Sequence, residues 1–166
     1  MTTLAPSRQR VIPLIHAQTP AVGDSARQVA MILRGVAMHE GDLTASWRRQ
    51  VRGEIEEVAR ECAFDNWDGY NARAISQRTT VNAARFVDLL PADLPEPSVV
   101  PAPNGHIALT WDFGRGRILT ISIGESTSAA YAGILGNEVR RHGVESFRDD
   151  VAKILVESIR EVARAG

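Results

Sequence analysis

Between residues 98 and 144 the chain repeats one pattern: short runs of alternating apolar and polar residues, each closed by a brief turn signal. Strands joined so tightly leave no room for a crossover helix, so each must pair antiparallel with the one before it. Ser98 to Pro101, inside the proline-rich "PADLPEPSVVPAP", reads as an edge strand, because proline cannot donate to a central ladder. Asn104-Gly105 is a hairpin signal, and "HIALTWDF" after it sets Ile107, Leu109, Trp111 and Phe113 on one face. "GRGR" turns the chain into "ILTISIG", which points Leu119, Ile121 and Ile123 inward, and "SAAYAGIL" (128–135) supplies a further strand. Gly136-Asn137 turns again, and "EVRRHGV" adds a short edge.

Helical periodicity flanks this run on both sides. Ala26, Val29, Ala30, Leu33, Val36 and Ala37 form a stripe from Asp24 to about His39, opened by Ser25 with Gln28 in capping-box spacing. Leu43, Trp47, Val51, Ile55, Val58 and Cys62 step by fours and threes along a second, stronger helix. A third runs from about Ser76 to Leu90, with Thr79, Ala83, Phe86 and Val87 inward and Pro91 ending it. The closing helix is expected to open at Ser146, with Asp149 in capping-box spacing and Phe147, Val151, Ile154, Leu155, Ile159 and Val162 inward. The expected architecture is α+β: N-terminal helices, an antiparallel meander of about four to five strands, and a C-terminal helix packed on the sheet. Residues 1–23, broken by Pro6, Pro13 and Pro20, read as an extended, weakly ordered arm, and residues 24–166 as a single domain.

Charge and cysteine usage narrow the function. The net charge is −1, so no global basic signature favours nucleic acid. The one cysteine, Cys62, can form neither an internal disulfide nor a multi-thiolate metal site, which suits a reducing, cytoplasmic setting. Neither a secretory leader nor a membrane span is expected, because prolines and polar residues interrupt every apolar stretch near the N-terminus.

The stretch "FDNWDGYNARAIS" (64–76) concentrates chemistry-bearing residues. Asp68-Gly69 is a turn pair, and Trp67 and Tyr70 bring apolar bodies with polar tips that could pin the loop to the sheet, with Trp67 expected to anchor it by lying largely buried there. With that anchor in place, Asp68, Tyr70 and Arg73 would be displayed to a partner, since binding residues gather on loops held by a rigid scaffold. "NWDGYNARAIS", the "LLP-x-x-LP-x-P" connector, the "P-x-P-N-G-H-I-A-L-T-W" hairpin and "SIG...YAGILG" resemble a group of uncharacterised bacterial proteins sharing a W-D-G-Y-x-A signature before such a hairpin. The resemblance covers roughly residues 65–135. It implies a bacterial origin and a shared core, and it supplies no activity and no catalytic residues.

Catalytic patterns are weaker. No G-x-S-x-G elbow is present, and Cys62 lies on the apolar stripe of its helix, where it reads as a core thiol. A metal-assisted hydrolase would gather Asp65, Asp68, His106 and Asp112, but these residues lack H-x-H, H-E-x-x-H or D-x-D spacing. "GRGR" has no lysine, serine or threonine in phosphate-loop spacing. A nucleic-acid reading rests on Arg48, Arg49 and Arg52, with Arg115, Arg117, Arg140 and Arg141 further on, and is opposed by Glu54, Glu56 and Glu57 immediately after the first three. The expectation is therefore a non-enzymatic, macromolecule-binding protein of bacterial or phage origin that acts through a protein partner, as antitoxins, immunity factors and inhibitors do. It needs neither a cofactor nor a metal. The hydrolase built on Asp65, Asp68 and His106 and the nucleic-acid binder built on Arg48, Arg49 and Arg52 stand as alternatives, and the oligomeric state is left open.

Overall fold

The computed structural model describes residues 47–136 and 139–164. The arm expected over 1–23 and the helix expected over 24–39 lie outside the described residues. Within them, helix α1 runs through 47–61, followed by α2 (Gln77–Leu89), β1 (Ser98–Pro101), β2 (Ile107–Asp112), β3 (Arg117–Ile123), β4 (Ser128–Leu135), β5 (Arg140–Ser146) and α3 (Lys153–Ala163). The strands form one antiparallel sheet in which spatial order equals chain order, β1-β2-β3-β4-β5. The α+β meander read from the turn signals is the observed fold. Among the described residues no helix is long and apolar enough to cross a membrane.

The period-two pattern gives the sheet two unlike faces. Leu109, Trp111, Leu119, Ile121 and Ile123 point to the inner face, where α2 and α3 cover them. Trp47, Val51, Ile55 and Cys62 of α1 and its end join the same core, as do Leu155, Ile159 and Val162 of α3. Polar tips of the buried indoles are satisfied by loop carbonyls: Trp111 Nε1 donates to Pro95 O at 2.8 Å and Trp47 Nε1 to Ala92 O at 3.2 Å. These two bonds tie the proline-rich connector to the core it borders.

Both ends of α2 follow from local chemistry. Ser76 caps it, its Oγ accepting the Thr79 N–H at 3.2 Å, and the helix ends at Leu89 as Pro91 approaches. Asn82, buried on the inward side of α2, went unnoticed in the sequence because an asparagine mid-helix carries no periodic signal. Its Nδ2 donates to Gly124 O at 3.0 Å and Ser126 O at 3.2 Å, holding the β3-β4 turn against the helix.

Two boundaries differ from expectation. Phe113 does not extend the inward stripe of β2: it lies past the strand end, 38% exposed, where its N–H donates to Arg117 O and the Arg117 guanidinium lies over its ring. The last helix opens at Lys153 with Ala152 as its N-cap, rather than at Ser146. Ser146 instead pairs with Ser128 at the end of β5, and Phe147 N donates to Thr127 O, so the chain stays extended through the supposed cap. The burial expected of Phe147 is nonetheless met: its ring meets Phe86 edge-on, with centroids 5.1 Å apart.

Candidate functional site

The 64–76 loop is held mainly by its own side chains. Asp65 Oδ1 accepts the Ala74 N–H at 2.9 Å, and Asn66 Oδ1 accepts that of Asn71 at 2.9 Å. Asp68 Oδ1 accepts two, from Tyr70 at 2.7 Å and Ala72 at 3.1 Å. Trp67 Nε1 donates to Arg73 O at 3.0 Å. Asn66, Gly69 and Asn71 all adopt positive φ, which glycine and asparagine tolerate best, and this winds the loop tightly enough for such short-range bonds.

Asn66 N donates to Ala72 O and closes the loop, and two backbone bonds join it to its surroundings: Ile75 N to Cys62 O ties it to the end of α1, and Arg73 N to Pro103 O fastens it to the β1-β2 turn. The last contact is close. A Cβ on Gly105 would sit 2.9 Å from Ala74 O, and Gly105 has a φ of 82°, so only glycine fits where hairpin and loop meet.

The expected site residues are thereby sorted. Trp67 packs against the core as an anchor, partly buried, with its indole N–H turned toward the loop backbone. Asp68 is half-buried with one carboxylate oxygen turned into the loop, whereas Tyr70 is 88% exposed and Arg73 is exposed. Arg73 borders a polar cleft of about 390 Å³ lined also by Ser76, Asn104, His106, Glu125 and Ser126. The cleft arises where the loop, the β1-β2 turn and the β3-β4 turn converge. His106 Nδ1 lies 3.1 Å from Ser122 Oγ, and its ring covers Gly124, where a Cβ would lie 2.4 Å from Nε2. The imidazole is thus a fixed wall of the cleft.

The alternative constellations are not brought together. Asp65 and Asp68 hold separate loop amides, Asp112 Oδ1 accepts the Gly114 N–H at the far end of β2, and among the described residues no group of three or more His, Cys, Asp or Glu side chains is placed to hold a metal ion. Several arginines serve the fold: Arg48 donates to Leu90 O, Arg52 pairs with Asp88 at 2.8 Å, and Arg117 donates to Arg164 O at 2.7 Å. Arg141 pairs with Glu161 at 2.9 Å, while Arg49, Arg115 and Arg140 are exposed. The Cys62 thiol is buried, and that burial, with Glu61 and Asp68 nearby, pushes its pKa up. A thiol so placed is a poor nucleophile. Comparison with family models, curated proteins and solved structures finds no match to this chain.

Proposed function

We propose that this chain is a non-enzymatic binding protein of bacterial or phage origin, working in the cytoplasm on a protein partner in the manner of an antitoxin, immunity factor or inhibitor. The observation that carries this reading is the pairing of a knotted loop with an 88% exposed phenol: Tyr70 stands in water on a backbone fixed on either side by Asp68 and Asn66. Tyrosine and arginine are favoured where interfaces concentrate their energy, and a pre-ordered loop reduces the entropy lost on association. Arg73, His106 and Glu125, which line the adjoining cleft, suit a partner segment carrying both donors and acceptors. Asp68 contributes by holding the backbone of Tyr70 and Ala72.

Affinity capture with the full chain tests this reading. The wild type should retain a protein partner that the Tyr70→Ala plus Arg73→Ala chain loses, and retention should weaken only modestly as salt rises, as for a mixed polar and aromatic interface. Recovery of nucleic acid alone with a steep loss in salt, or an unchanged partner list for the double variant, would sink it.

A further inference from the structure

The sheet face turned away from the helices carries an unusual set of side chains. Antiparallel faces open to water normally present polar and charged residues. Here the register aligns Val100, Ala108, Ser122, Ala130 and Val144 in one row across all five strands. The next row is Ser98, Thr110, Thr120, Ala132 and His142, and the third is Asp112, Ile118, Ile134 and Arg140. Among the described residues much of this face is open, with Val144 67% exposed, Val100 45% and Ile118 36%, while Ala108 is buried among its neighbours. A shallow groove of about 530 Å³ crosses it, floored by Ile118, Ala132 and Ile134 and rimmed by Arg140 and His142.

We infer that the occupant of this face is a second copy of the same chain, packed sheet against sheet about a two-fold axis running along β3. The first row reads the same from either edge, Val-Ala-Ser-Ala-Val, so such an axis lays β1 over the partner's β5, valine to valine, and β2 over its β4, alanine to alanine. This is the self-complementarity that a two-fold interface requires. The third row adds charge complementarity. The same rotation sets Asp112 on β2 one strand away from Arg140 on the partner's β5, and the symmetry repeats the pair at the other edge of the same row. Arg140 makes no ion pair among the described residues, and Asp112 offers a carboxylate whose Oδ1 is held by the Gly114 N–H. Small residues in the middle of the face let the two sheets approach closely, while valines fill the rims.

Area sets the strength. Five strands spaced about 4.8 Å apart and three rows about 7 Å apart give roughly 500 Å² per copy, or about 1,000 Å² for the pair. That is just under the span of stable interfaces, so the dimer should be reversible, with a dissociation constant in the micromolar range. The Tyr70 phenol lies on a separate loop, while His106, a wall of the adjoining cleft, reaches Ser122 in the first row, so the two surfaces adjoin at that edge.

Sedimentation equilibrium of the full chain over a wide concentration range tests the inference. The wild type should pass from monomer to dimer as concentration rises. Ala130→Arg buries an unpaired charge at the centre and should weaken association by more than about a hundredfold. Val144→Lys, at a position open enough to leave folding intact, should weaken it as well, and Arg140→Glu should do so by opposing Asp112. Melting temperatures identify which variants have folded, and Val144→Lys carries the test if Ala130→Arg does not fold. A wild-type chain monomeric at every concentration, or a dimer that folded Val144→Lys or Arg140→Glu leaves at unchanged affinity, overturns the inference.

Discussion

Trp67 donates its indole N–H to the carbonyl of Arg73, six residues further along the same loop and 3.0 Å away. Because Arg73 N in turn donates to Pro103 O, one indole positions the strand of chain that joins the loop to the β1-β2 turn. Replacing Trp67 with phenylalanine should keep most of the packing and lose about 1 kcal/mol with the hydrogen bond. Trp67→Ala should cost more, about 2 to 3 kcal/mol, below the range for a fully buried tryptophan because the ring is half-buried. Chemical denaturation of the two variants checks the order; equal losses in the two would show that the N–H, and not the ring, does all the anchoring.

Asp68 Oδ1 receives two backbone N–H groups, and a charged acceptor strengthens both bonds. Asp68→Asn keeps an acceptor oxygen and should be mild. Asp68→Ala should lose about 2 kcal/mol and speed amide hydrogen exchange at Tyr70 and Ala72 specifically. Exchange rates unchanged at those two amides would contradict the role given to the carboxylate.

Asn82 is a buried amide with both of its bonds made to carbonyls of the β3-β4 turn. Asn82→Asp replaces the donor with an acceptor facing two acceptors, and should destabilise the chain by about 3 kcal/mol or more at neutral pH. Protonating the new carboxyl restores a donor, so stability relative to the wild type should recover in acid; thermal melts at several pH values measure it.

Cys62 should resist alkylation at neutral pH in the folded chain and react readily on unfolding, because burial raises its pKa and shields it. A raised folded-state pKa favours the native state fully below the unfolded thiol's value, and that contribution is lost as pH rises through the folded one. A wild-type chain should therefore lose more stability in alkali than Cys62→Ala does, when each is compared with its own neutral-pH value.

Elements whose side chains report their own environment were legible in the sequence. The limits of Ser98 to Pro101 and of 128–135, and the inward stripe Leu119, Ile121 and Ile123, follow from alternation and turn residues alone, and those determinants lie within a few residues of each other. Ser146 misled because serine with an acid three residues on has capping-box spacing in any conformation; here Ser146 is claimed by its ladder partner Ser128, a contact with no local trace. At the candidate site, the Asp68-Gly69 pair pointed to a turn, but that the oxygens of Asp65, Asn66 and Asp68 face inward onto loop amides is set by backbone angles at Asn66 and Asn71 that composition does not encode. Asn82 was invisible because its partners lie more than forty positions away.

Identity of strand order and chain order has a kinetic meaning. Each strand finds its neighbour across a single turn, so the sheet can grow by adding one hairpin arm at a time, with only a short loop to close at each step. The slow search that delays most β-rich folds is confined to the contacts the helices make, α1 and α2 from one side of the sequence and α3 from the other. A sheet that assembles early in this way exposes both its faces before the helices arrive. The inner one is then covered by helices, while on the outer one Val100, Ile118 and Val144 stay exposed among the described residues.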